Sequence, residues 1–365
     1  MTNIIGNFSS VLLYIIILLI CLILSYLAEK RQKLNVWIFL LIITLSVFCG
    51  MRGSSVGVDV AHYIIRHIEP ISNGMFNYVS QPIGFKLIVW SVYQFTNNTH
   101  WVFIVFAIIT NTLIILRLWD FKKICSFPMM VLWYYVFFYI VSFNIFRQFV
   151  AIALVFFATR YLEKEKIIKY CFLVACAVSI HTISILGFFL IPIYVLCNKS
   201  IDVKKKKYKK YFLLLLPVIV GIAAVALYYY FDFDHYLYLL NRENVNGISG
   251  ISIPFRFVLA LENYRMIKAN YIASPKTNGY SDDYRIISLI TFIGLGINLL
   301  AFIASEAERF TYYFSVFEIL FVSFRIQKGK YKQIIKFLYV LFAIYTLYSR
   351  FSSNGLQILP YVTTL

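Results

Sequence analysis

Arg52, Asp59, His62, Arg66 and His67 crowd into residues 50–67, GMRGSSVGVDVAHYIIRH, directly after an apolar run. Ionisable groups of both signs, beside the flexible Gly53-Ser54-Ser55-Val56-Gly57 stretch, exceed what a plain connector needs. A helix starting near Asp59 would carry that carboxylate in its first turn, with Tyr63 one turn on and His62 beside it. Arg52 and Asp59 then read either as an ion pair or as a functional pair. His62 and His67 stand five apart, which does not place two side chains on one face of an α-helix, so no metal site is expected from them.

A second constellation lies in FNIFRQFVAIAL, residues 143–154. Asn144, Arg147 and Gln148 have the i, i+3, i+4 spacing of one helix face, continued by the small Ala151. A lone arginine at a helix end usually snorkels to headgroups. Flanked by two amides that both donate and accept hydrogen bonds, it reads better as a recognition surface for sugar hydroxyls. In VSIHTISILG, residues 178–187, His181 interrupts an apolar run, open to a core hydrogen bond, to proton transfer or to phosphate binding. Glu306, Glu308 and Arg309 form a further polar cluster, with Tyr312 and Tyr313 one turn along. Arg256, Glu262 and Arg265 make another, in which Glu262 and Arg265 can neutralise each other. Arginines converging on one cavity suit a phosphate-bearing ligand, because a guanidinium grips phosphate oxygens in bidentate fashion.

The elements that must position these groups are membrane helices. The chain has 365 residues, 61% of them hydrophobic and 14% charged, with a mean hydropathy of +0.78, which excludes a water-soluble globule. Long apolar runs cover Val11–Ala28, Val36–Cys49, Trp101–Leu116, Phe127–Phe143, Tyr211–Tyr230, Ile286–Ala304, Phe310–Phe324 and Ile334–Tyr348. They predict an all-α polytopic integral membrane protein with about ten to twelve crossings, completed by short re-entrant or horizontal helices on the periplasmic side. The first run lacks a basic segment before it and a small-residue cleavage site after it, so it reads as a retained helix. The whole of 1–365 reads as a single membrane domain, without the internal repeat of an alternating-access transporter. Six cysteines without a CxxC pair read as small packing residues.

The net charge of +18 sits largely in clusters at helix ends: Lys30/Arg31/Lys33, Arg117/Lys122/Lys123, Lys164/Lys166/Lys169, Lys204–Lys210 and Arg325–Lys336. This is the distribution of cytoplasmic loops, not of a nucleic-acid-binding surface. It makes 198–210 a cytoplasmic loop and 51–82 and 231–250 periplasmic loops. It also breaks the run Ile167–Cys197 into two short helices meeting near His181, and makes Ile251–Tyr271 a polar crossing. Parity then leaves two readings: Ile83–Phe95, short for a crossing, is re-entrant or horizontal, which is the favoured one, or one basic cluster breaks the rule.

Three motifs, Arg52…Gly57/Asp59…Tyr63, NIFRQ with Ala151, and the His181 of SIHTISIL, together resemble the EpsG family of polysaccharide polymerases, among the Wzy-type polymerases of O-antigen and exopolysaccharide. AERFTYYF and the closing ILPYVTTL are similar to late features of that family. The resemblance implies an inner-membrane glycosyltransferase with its site facing the periplasm and no soluble cofactor. Its partners would be undecaprenyl diphosphate-linked glycan donor and acceptor, membrane lipids, and a chain-length regulator. It implies that Asp59 orients or deprotonates the acceptor hydroxyl. Arg147 and Arg309, with Arg52 or Arg256, would stabilise the departing diphosphate. Tyr63, Asn144 and Gln148 would position sugar rings and His181 the phosphate, with Arg265, Glu308 and Tyr312 completing the substrate contacts. Competing readings are a multi-pass sugar O-acyltransferase, which needs an activated His or Ser nucleophile, and a lipid-linked oligosaccharide flippase.

The periplasmic placement of 51–82 has a direct check. Single cysteines at Ser54 and Ser80, in a Cys-free background, should react with an impermeant thiol reagent without rupture of the inner membrane. Labelling that requires rupture rejects this topology.

Overall fold

Apolar backbone in lipid must close its hydrogen bonds within its own segment, and this chain does so as helices. The computed structural model describes residues 2–31, 33–58, 60–197, 255, 257–258, 261, 265, 280–300, 307–327 and 332–363. Among them there is no β-strand, and the single backbone bridge outside helices joins Arg52 to Thr363 in antiparallel sense. Three helices are long and apolar enough to cross a bilayer, at Asn7–Glu29, His100–Asp120 and Lys332–Ser353. Shorter apolar helices cover Val36–Gly50, Ile83–Tyr93, Phe127–Tyr139, Ile167–Ile180, Thr182–Val195 and Ile286–Asn298. This is an all-α membrane protein. The expected crossings at Tyr211–Tyr230 and Ile251–Tyr271 and the loops 198–210 and 231–250 lie outside the described residues, apart from isolated positions within 255–265.

The chain divides into two compact units. The first comprises Met1–Ala158, Leu173–Ser184 and Val322–Leu365, and the second Thr159–Phe172 and Ile185–Phe321. In the first, helix α1 (Thr2–Glu29) packs on α2 (Val36–Gly50), which packs along α6 (His100–Asp120). Asn35 starts α2 by accepting the Trp37 amide at 3.1 Å, and Glu29 reaches across to accept the Phe127 amide at 2.7 Å, starting α7 (Phe127–Tyr134). Apolar burial does not drive helices together in lipid, so polar contacts and close packing must. Tyr134 donates to Asn111 Oδ1 at 2.8 Å, and Asn111 donates to the Ala107 carbonyl at 2.8 Å and to Ser46 at 3.4 Å, tying α7, α6 and α2 together. Such bonds contribute about 0.6 kcal/mol each on average. A π-helical turn at Tyr135–Tyr139 continues α7 and lets Tyr135 and Tyr139 donate to the carbonyls of Tyr14 (2.8 Å) and Leu45 (2.6 Å).

Helix α5 (Ile83–Tyr93) has 11 residues, a rise of about 16 Å, roughly half the hydrocarbon thickness. Its shortness agrees with the expectation that it does not cross alone. Gly84 lies against α9 (Ile167–Ile180) so closely that a side chain would meet the Ser179 carbonyl at 2.7 Å. The break expected near His181 is present: α9 ends at Ile180, a 3-10 turn runs Thr182–Phe189, and α10 (Leu190–Cys197) follows. Ser184 secures it, donating to the carbonyls of Ala177 (3.1 Å) and His181.

Within the second unit, Tyr170 donates to Gly187 at 2.5 Å, α11 (Tyr280–Leu300) packs on α12 (Ala307–Ser315), and Tyr284 stacks on Phe321 at 5.9 Å. The run Phe310–Phe324, expected as one crossing, is two short helices, α12 and α13 (Glu318–Gln327). Glu318 stands in the first turn of α13, where a carboxylate favours a helix start over a helix interior.

The segment after α14 (Lys332–Ser353) returns to the first unit as a strap. Gly53 and Gly57 donate to the carbonyls of Val362 (2.6 Å) and Gln357 (2.9 Å). Tyr361 stacks on Phe48 at 4.5 Å and donates to its carbonyl at 2.6 Å, while Tyr14 donates to Ile358 at 3.3 Å. The strap thus clamps the exposed loop that carries Ser54 and leads to residue 60.

Gly57 is the tightest point of the clamp. It has φ +112°, and a Cβ there would lie 2.6 Å from Asn144 Oδ1. Gly57→Ala should therefore lower thermal stability in detergent by more than the roughly 1–3 kcal/mol of backbone strain alone. Gly74 also has positive φ (+78°) but has nothing within 4 Å of a Cβ. Gly74→Ala should show the strain alone, and equal losses at the two positions would rule out the packed clamp.

Candidate active site at the loop–helix junction

The chain from Val60 is helical to Ser72, interrupted by a π-helical turn at Ile64–Ile68. Val60, Ile68 and Ile71 point into a core with Phe85 and Val89 of α5, Phe103 and Phe106 of α6, Phe146 and Val150 of α8 (Phe146–Glu163), and Ile180. This core holds the polar groups above it. Phe146 packs edge-on against Tyr63 (5.2 Å), Phe103 (5.0 Å) and Phe106 (5.3 Å). The next residue, Arg147, then lies between two rings, its guanidinium carbon 5.6 Å from the centre of Tyr63 and 5.5 Å from that of Phe85. Two such cation–π contacts fix the fork in orientation as well as position.

His67 completes the group. Its ring meets Tyr63 edge-on at 5.1 Å and the His62 ring at 6.1 Å. Gln81 Nε2 lies 3.2 Å from His67 Nε2. The five-residue spacing that separates side chains on an α-helix brings these two histidines together because a π turn closes i to i+5. Partial burial, then the charge of Arg147, then those of His62 and Arg66, push the His67 pKa down to about 4, against a hydrogen bond to the Arg66 backbone that raises it. The ring is therefore neutral near pH 7.

The two remaining polar residues of the junction turn inward. Arg52 is only 1% exposed; it donates to the carbonyls of Cys49 and Phe143 (2.9 Å), and its guanidinium lies 4.9 Å from the Phe103 ring and 5.2 Å from that of Phe143. Asn144 accepts from Val58 N at 2.8 Å and donates to the Leu356 carbonyl at 3.2 Å. Helix α8 begins at Phe146, so Asn144 precedes it and the expected common face does not extend to this residue. Its amide is committed to backbone at both ends. Gln148 is buried on the first turn of α8. Asp59 lies outside the described residues; its neighbours are fixed, Val58 by Asn144 and Val60 in the core.

The structure thus brings Tyr63 and Arg147 together and adds His67, Gln81 and Phe85. His181 sits at the break after α9, directly after the core residue Ile180. Arg265, Arg309 and Tyr312 belong to the second unit, where Arg265 and Arg309 are exposed and Tyr312 is buried on α12. Glu308 stands in the first turn of α12, and Arg256 lies outside the described residues. His67 was hidden in the sequence by the π turn. Gln81, next to the proline that starts α5, carried no signal of its partner.

No curated protein and no solved structure matches the chain. A family model does, described as the EpsG family, over residues 35–363. That span holds both the clamped loop and the Tyr63–Arg147 junction, and by it the chain belongs to the EpsG family, a family of Wzy-type polymerases.

Proposed function

We propose that this chain is a membrane glycosyltransferase that polymerises undecaprenyl diphosphate-linked oligosaccharide repeat units into O-antigen or exopolysaccharide, on the periplasmic face of the inner membrane. The observation that supports it best is Arg147, held between Tyr63 and Phe85 where a clamped loop meets an apolar core. A polyprenyl diphosphate has its hydrocarbon chain in the bilayer and its charge at the surface, and this junction suits that division.

In the proposed step the acceptor hydroxyl attacks the anomeric carbon of the donor chain. Its proton passes to Asp59, whose neighbours Val58 and Val60 are both held in place. The bond from that carbon to the diphosphate oxygen breaks, and the electron pair leaves with the diphosphate. Arg147 neutralises the charge that develops. Gln148 and His181 contact sugar or phosphate. Arg52, Asn144 and Tyr63 act differently from the sequence expectation: Arg52 and Asn144 hold the loop, and Tyr63 orients Arg147. The test of the whole reading is purified protein supplied with a lipid-linked repeat unit, which should yield longer glycans; acyl transfer or no product rejects it.

Arg147 should matter through shape as well as charge. Arg147→Lys keeps the charge but loses the planar fork, and should remove most polymer while insertion and accumulation stay normal. Polymer at wild-type level in that variant would make Arg147 a headgroup anchor.

Asp59→Asn keeps size and hydrogen bonding but loses the base, and should reduce polymerisation by roughly 10²–10⁴-fold, leaving single repeat units on the carrier. The rival role, an ion-pair partner for Arg52, makes a different forecast: Arg52→Asp with Asp59→Arg would restore polymer. The burial of Arg52 against two carbonyls argues that the exchange fails.

A further inference from the structure

Arg52 has N–H groups on all three guanidinium nitrogens and is buried. One terminal nitrogen donates to the Cys49 carbonyl and lies 3.4 Å from Cys49 Sγ; the other donates to the Phe143 carbonyl at 2.9 Å. The rings of Phe103 and Phe143 lie against the guanidinium at 4.9 and 5.2 Å. Nε remains: it is buried and has no hydrogen-bond partner. A buried donor in that state carries the full penalty of its lost hydration.

Arg52 lines a cavity of about 10 Å³ between the end of α2, α6 and the segment that leads into α8. Thr110, Asn111 and Ser142 bring further polar groups to its wall. Ser142 donates its one hydroxyl hydrogen to the Tyr139 carbonyl at 2.6 Å, which leaves its lone pairs to accept. Asn111 donates to the Ala107 carbonyl at 2.8 Å and to Ser46 at 3.4 Å, and its Oδ1, which accepts from Tyr134, keeps a second lone pair. A donor from Arg52 and acceptors from Ser142 and Asn111 thus border a space the size of about one water-sized sphere.

We propose that this cavity binds a single water molecule, which accepts from Arg52 Nε and Thr110 and donates to Ser142 and Asn111. Four bonds complete both the guanidinium and the water. An anion suits the site less well, because the capacity left on Ser142 and Asn111 is in lone pairs, which repel it. Phe146, whose ring forms part of the same wall, packs on Tyr63 and precedes Arg147. The water therefore also supports the seat of the candidate ligand, whichever reaction the chain catalyses.

The experiment is thermal melting of the detergent-purified full chain carrying matched substitutions at the cavity wall. Ala107 is buried on α6 and lines the cavity, and threonine and valine share shape and helix propensity there. Either side chain displaces the water, but only threonine brings a hydroxyl that can replace it beside Arg52. Ala107→Thr should therefore melt at a higher temperature than Ala107→Val. In a dry cavity a methyl fills the space better than a hydroxyl, so equal or reversed order overturns the proposal. Thr110 supplies a second pair should the larger side chains at 107 prevent folding. Thr110→Ser keeps the hydroxyl and should melt above Thr110→Val, which keeps the shape alone; the opposite order rejects the water. Replacing gluconate by bromide at constant ionic strength should leave the wild-type melting temperature unchanged. A rise with bromide that Ala107→Val abolishes would place an anion in the cavity instead.

Discussion

A guanidinium cannot shed its charge, so burying one inside a membrane protein obliges its surroundings to satisfy it. Arg52 is that obligation here. Its side chain is buried, and leaving such a charge without partners would be costly. Its partners come from three places: the Cys49 carbonyl at the end of α2, the Phe143 carbonyl just before α8, and the ring of Phe103 on α6. Its backbone pairs with Thr363 from the far end of the chain. One residue therefore ties together the end of α2, the segment before α8 and the strap.

The candidate ligands inherit their positions from that knot. Phe143, whose carbonyl Arg52 uses, is followed by Asn144, which joins Val58 to Leu356. Phe146 then seats in the core and Arg147 emerges between two rings. The short stretch 143–147 thus converts a structural requirement into the orientation of a charged fork. A substrate contact placed on such a support loses little side-chain entropy when it binds, which is the advantage of building a site on held elements instead of a free loop.

Much of this was legible in the residues, but unevenly. The basic clusters on either side of the run Ile167–Cys197 imply two short helices meeting near His181, and α9 ends at Ile180. A carboxylate at Asp59 suits a helix start, and the helix begins at Val60. The spacing 144/147/148 misled, because it presumes that the helix has already begun. Only the long-range demands of Val58 and Leu356 show why Asn144 stays outside it. The strap was invisible for a similar reason: Tyr361 and Ile358 carry no periodic pattern, and their partners Phe48 and Tyr14 lie more than three hundred residues away. His67 was discounted on α-helical spacing, and a π turn overturned that geometry.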